Sequence, residues 1–134
     1  MNFNTAIQNA GVIAWDGTAA HPVDIRNYNS YAFSFTVTAD LAADTIFNVQ
    51  SAPPSGADPC VPGTFVPVPE VLTCTANWGA VPGPQASIML PNGTKKGSIC
   101  AAALPCKPGA YVQLAVGSGD TAKVQAVAIL SGPH

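Results

Sequence analysis

The clearest alternation of apolar and polar positions runs through SYAFSFTVTADLAADTIFNVQ, Ser30 to Gln50. Tyr31, Phe33, Phe35 and Val37 alternate with Ala32, Ser34, Thr36 and Thr38. In an extended chain, side chains two apart share a face. One face is therefore large and apolar and the other small and hydroxylated, the pattern of a half-buried strand. After a polar break, Ala39 to Asp44, the pattern resumes from Thr45 to Gln50 with Phe47 and Val49. Three of the five phenylalanines lie in this pair of segments, which is expected to form the centre of a β-sheet core.

The remaining segments read as short strands divided by turn residues. Gly11 to Trp15 is one, closed by the tight-turn pair Asp16-Gly17, and Val23 to Arg26 is a second. Ser51 to Pro69 is rich in proline and also carries Gly56 and Gly63. Proline cannot donate to a ladder, so a long ordered loop is expected there, with at most an edge strand near Thr64 to Val68. Val71 to Ala76 is a further candidate strand, followed by an irregular loop around Trp78. Gln85 to Leu90 and Lys95 to Ala103 flank Asn92-Gly93 and read as a hairpin, because Asn-Gly supplies the positive φ of a type I′ turn. Tyr111 to Val116 and Ala122 to Leu130 flank the glycine-rich Gly117 to Thr121, which also reads as a hairpin turn. Short strands at this spacing, with no sustained helical period, predict an all-β fold: a single antiparallel β-sandwich over residues 11–134, jelly-roll-like, with long Pro-rich loops. Residues 1–10 form a separate N-terminal arm in this reading. Phe3 and Ile7 would share one side of a helical turn there, and both an arm docked on a partner and a frayed terminus fit.

Composition then narrows the function. The chain has 134 residues, enough for one domain with one core. Hydrophobic residues make up 48% but charged residues only 9%, against about 25% in a typical soluble protein. So uncharged a surface suits a protein that works against another protein surface. Five cations do not provide the clustered Lys and Arg that track phosphates, so no nucleic-acid partner is expected. No apolar run approaches a membrane span, and MNFNTAIQNAG lacks the basic and apolar regions of a signal peptide.

Four cysteines are the strongest local chemical signal. Cys60 and Cys74 bracket the first loop region, and Cys100 and Cys106 bracket a Pro-containing turn. Disulfides pairing 60 with 74 and 100 with 106 would each staple an irregular loop, worth about 2–3 kcal/mol apiece. Free thiols and a zinc site remain alternatives, although these intervals are longer than most zinc-ligand spacings. Five aspartates, Asp16, Asp40, Asp44, Asp58 and Asp120, fall in turns, where Asp commonly bonds its own backbone. A calcium site from Asp40 and Asp44 lacks a visible ligand set. The two histidines, His21 and His134, do not suggest a catalytic triad, and no nucleophile-elbow, zinc-protease or phosphate-loop motif is present. No enzyme activity, metal or cofactor is expected.

Ser30 to Gln50 and AYVQLAVGSGDTAKVQAVAILSGP, Ala110 to Pro133, resemble in style the small β-sandwich decoration (cement) proteins of tailed-bacteriophage capsids. The resemblance covers most of the chain and rests on a polar start, an Ala/Thr/Val-rich sandwich, few charges and proline-rich loops. It implies a structural protein, made in the host cytoplasm and carried on the outer capsid surface of the virion. There it would clamp neighbouring major capsid protein subunits as a dimer or trimer of itself. Phe3, Ile7 and Trp78, aromatic or apolar residues outside the strand pattern, are the expected contact anchors. The alternative is a carbohydrate-binding or adhesion sandwich, which needs exposed aromatics such as Trp15, Trp78 and Tyr111 lining one groove.

Overall fold

The structure, a computed structural model, describes residues 10–68, 86–104 and 109–132. These residues form two antiparallel sheets. The strands are β1 (Ala10–Trp15), β2 (Val23–Asp24), β3 (Ser30–Val37), β4 (Thr45–Ala52), β5 (Val66–Pro67), β6 (Ser87–Leu90), β7 (Ile99–Leu104), β8 (Tyr111–Ser118) and β9 (Val124–Ser131). One sheet has the order β1-β9-β3-β7; the other has the order β2-β8-β4-β5, with β6 also paired to β4. The all-β sandwich expected from the sequence is the observed architecture.

Alternation sets the inner faces. Tyr31, Phe33, Phe35 and Val37 point inward from β3, and Thr45, Phe47 and Val49 from β4, all buried. Beside β3, β9 contributes small inward residues: Ala126 is paired with Phe35 and Ala128 with Phe33. Large rings thus alternate laterally with alanines, which lets the two sheets approach. Phe35 of the first sheet meets Phe47 of the second at 5.5 Å between ring centroids, and Trp15 meets Phe47 edge-on at 5.6 Å. The Trp15 indole N–H donates to the Thr121 carbonyl at 2.9 Å, so burying the ring leaves no unmet donor.

Apart from β4 and β5, which pair, strands adjacent in sequence mostly lie in opposite sheets. β3 and β4 lie in opposite sheets, as do β6 and β7, and β8 and β9. The two expected hairpins are therefore crossovers. Asn92-Gly93 does form a turn, but a second turn at Lys96-Gly97 follows and the chain passes to the other sheet. β7 consequently begins at Ile99 and not at Lys95. β5 and β6 together form one edge beside β4: the Val68 amide donates to Val49, the Val49 amide to Ala86, and the Ala86 amide to Val68. Val71 to Ala76, the expected strand there, lies outside the described residues. So does the expected N-terminal arm, apart from Ala10, which opens β1.

Between β8 and β9 the chain turns at Gly119, whose φ is +87°. A Cβ at this position would run into the Asp44 carbonyl and lie 2.7 Å from Thr45 Cα. Gly119→Ala should therefore destabilise the fold by about 1–3 kcal/mol. Phe47→Ala should cost about 3–5 kcal/mol, and Ser34→Ala, on the outer face of β3, within about 0.5 kcal/mol. Urea denaturation checks all three. A loss at Ser34 as large as that at Phe47 would contradict this assignment of faces.

Candidate functional site

The crossovers carry most of the described ionisable groups, and their carboxylates bond backbone amides there. At one end of the sandwich, three of them are laced together by carboxylates. Asp40 accepts the Lys96 amide at 2.8 Å, Asp44 accepts the Asn92 amide at 2.8 Å, and Asp120 accepts the Ala42 amide at 2.7 Å. Leu41 is buried beneath them and exchanges backbone bonds with Gly93 and Thr94. Thr45, fully buried, donates to the Ala43 carbonyl and accepts the Asp120 amide. Asp16 and Asp58 instead bond their own turns, as expected. His21 also meets the second Asp16 oxygen at 2.7 Å.

At the other end, the chain's sole arginine, Arg26, holds the proline-rich lobe. Its guanidinium binds both Asp24 oxygens, donates to the Pro59 carbonyl at 2.9 Å and to the Tyr111 hydroxyl at 3.0 Å, and lies 5.0 Å from the Tyr111 ring centroid. The Tyr111 hydroxyl donates to the same Pro59 carbonyl. Sequence reading missed this clasp. Its only signal was one arginine two residues after an aspartate, because Pro59 and Tyr111 arrive from distant segments.

Cys60 is a free, exposed thiol among the described residues, on the lobe closed by the Pro54–Pro62 bridge. Cys100 stands on β7 opposite Phe35. Cys74, Cys106, Phe3, Ile7 and Trp78 lie outside the described residues. Trp15 and Tyr111 are buried, so the two described members of the expected aromatic groove do not line one. Among the described residues no group of three or more His, Cys, Asp or Glu could hold a metal.

Among the described residues, the outer surfaces of the two sheets remain for recognition, and the two differ. On the β2-β8-β4-β5 side the polar side chains bond one another: Gln113 donates to Gln50 at 2.8 Å and Ser87 to Asn48 at 2.7 Å. Among the described residues, no side-chain ladder of this kind is seen across the middle of the outer face of the β1-β9-β3-β7 sheet. Register places Ile13, Val127, Ser34 and Ala101 in one row, and Gln125, Thr36 and Ile99 in another. Among the described residues no Asp, Glu, Lys or Arg points outward from these strands. Ile13 and Ile99, at opposite edges, are 57% and 69% exposed. An irregularity in β1 between Ile13 and Trp15 opens a shallow dimple of about 100 Å³, lined by Ile13, Trp15, Asp16, Gln125, Ala126 and Val127. This neutral, partly apolar sheet face is the candidate site. Neither a protein-family model nor a curated protein sequence matches the chain.

The lacing has a pH signature. His21 and the Thr18 and Ala19 donors hold the Asp16 carboxyl well below the usual range. The Lys96 amide, with Lys95 and Lys123 nearby, lowers that of Asp40. Both groups keep a proton less readily in the folded chain than in the unfolded one. Their stabilisation is complete above the unfolded carboxylate value, about 4, and is lost as pH falls toward the folded values. The urea midpoint should therefore drop below pH of about 4, and Asp40→Asn should lower the neutral-pH midpoint and give a shallower acid limb. An unchanged acid limb in that variant would contradict the role of Asp40.

Proposed function

We propose that the chain is a structural virion protein, carried on the outer surface of a tailed-bacteriophage capsid, which it stabilises by binding across major capsid protein subunits as a homo-oligomer. The observation that carries this reading is the neutral outer face of the β1-β9-β3-β7 sheet, on a domain most of whose described charged groups lie in its connections. Such a face recognises by shape and apolar contact and has no side-chain array aimed at a small polar substrate. The strand order adds support. Each connection passes to the other sheet except that from β4 to the β5–β6 edge. We read this as a jelly roll, an architecture that recurs in viral capsid and lectin domains.

The mechanism is mass action. A protein that binds the assembled shell, and not its separated subunits, adds its binding free energy to the assembled state. A small domain gives a weak single contact with the shell, but copies joined to one another through such a face and repeated over a lattice gain effective concentration. The carbohydrate-binding alternative loses support, because it needs open aromatic rings and Trp15 and Tyr111 are buried.

Purified chain added to shells of its virus that lack it should bind at a fixed ratio to the capsid subunit and raise the shell's melting temperature. Shells that retain none of it at saturating concentration would overturn the reading.

A further inference from the structure

We infer that the chain forms a twofold dimer through the outer face of the β1-β9-β3-β7 sheet, with Ile99 of each copy seated in the dimple beside the β1 irregularity of the other. This deepens the self-association part of the proposed function: it gives the face to the contact between copies and leaves the capsid contact to the other surfaces of the dimer.

The face carries a knob and a hole of matching size. Ile99, at 69%, is the most exposed large hydrophobic residue described. The dimple, at about 100 Å³, is far below the several hundred Å³ of a small-molecule site but takes one aliphatic side chain. Register puts the two at the same height: Ile99 pairs with Thr36, Thr36 pairs with Gln125, and Gln125 lines the dimple. Strand order puts them at opposite edges, β7 and β1, separated by three strand spacings, about 14 Å. A twofold axis running along the strands, between β9 and β3, exchanges the two edges and keeps the height. It therefore brings each Ile99 over the partner's dimple. This is the self-complementarity that an isologous contact requires, and it is the aligned mode in which sheets pack face to face. Small outward residues of β3, Ala32 and Ser34, keep the middle of the face low between the two contacts.

Charge agrees with this pairing. The one carboxylate at the dimple is Asp16. Lys96, in the turn that leads into β7, is exposed at the same end of the sandwich as Asp16, so the same rotation carries a cation toward it. Four strands by about six residues cover roughly 400 Å² per copy, half of a standard interface side of about 800 Å². The dimer is accordingly weak and reversible.

Sedimentation velocity in reductant, from about 10 µM to about 1 mM, tests the inference on the full chain. Wild type should pass from monomer to dimer over this range. Ile99→Asp should weaken association at least about tenfold, or 1.4 kcal/mol, with an unchanged thermal midpoint, since Ile99 is outside the core. Val61→Asp, an exposed apolar position on the proline-rich lobe, should dimerise like wild type. A wild type that stays monomeric at the top of the range, or a dimer that Ile99→Asp does not weaken, overturns the inference. Shell retention of the same samples reports on the capsid reading alone. A monomer held by shells overturns the dimer and leaves that reading standing; a dimer that no shell holds does the reverse.

Discussion

The contact between Phe35 and Phe47, 5.5 Å between ring centroids, joins two sheets that share no ladder. The strands that carry these rings, β3 and β4, are consecutive in the chain, so the connection between them crosses the thickness of the sandwich, about 10 Å. Similar crossings recur from β6 to β7 and from β8 to β9. The ends of the molecule are consequently built of connections that no ladder satisfies. Each backbone N–H there needs an acceptor, and several receive one from an aspartate on another connection: Asp40 for Lys96, Asp44 for Asn92, Asp120 for Ala42. The aromatic core and the laced ends are thus two consequences of one wrapping.

That wrapping also explains how so few charges are used. A chain with 9% charged residues spends most of those described on its own connections and on the Arg26–Asp24–Tyr111 clasp that holds the proline-rich lobe. The sheet surfaces are left neutral, and chemistry then separates them. Gln50, Gln113, Asn48 and Ser87 satisfy one another on one side. The other side offers methyl groups, hydroxyls and two exposed isoleucines. Burying the bonded side chains of the first gains little beyond the bonds already made, whereas burying the isoleucines of the second removes apolar surface from water. A docking face is therefore expected on β1-β9-β3-β7.

The period-two alternation of Tyr31 to Val37 and of Thr45 to Val49 was enough, by itself, to assign strands, their inner faces and an all-β sandwich, because side-chain direction in an extended chain is a local property. The turn residues were legible too: Asn92-Gly93 and Gly119 turn where expected. Partnership was not legible. Local pattern says which face of a strand is buried and leaves open whether the next strand lies beside it or opposite it, so two crossovers read as hairpins. Asp40, Asp44 and Asp120 looked like self-bonded turn residues for the same reason. Their acceptors face amides 56, 48 and 78 positions away, and only the folded path brings these together. The neutral face and its dimple depend on register across four strands distant in sequence. The sequence determined what each strand presents; only the tertiary structure decided which strands present it together, because pairing is a long-range choice that alternation does not encode.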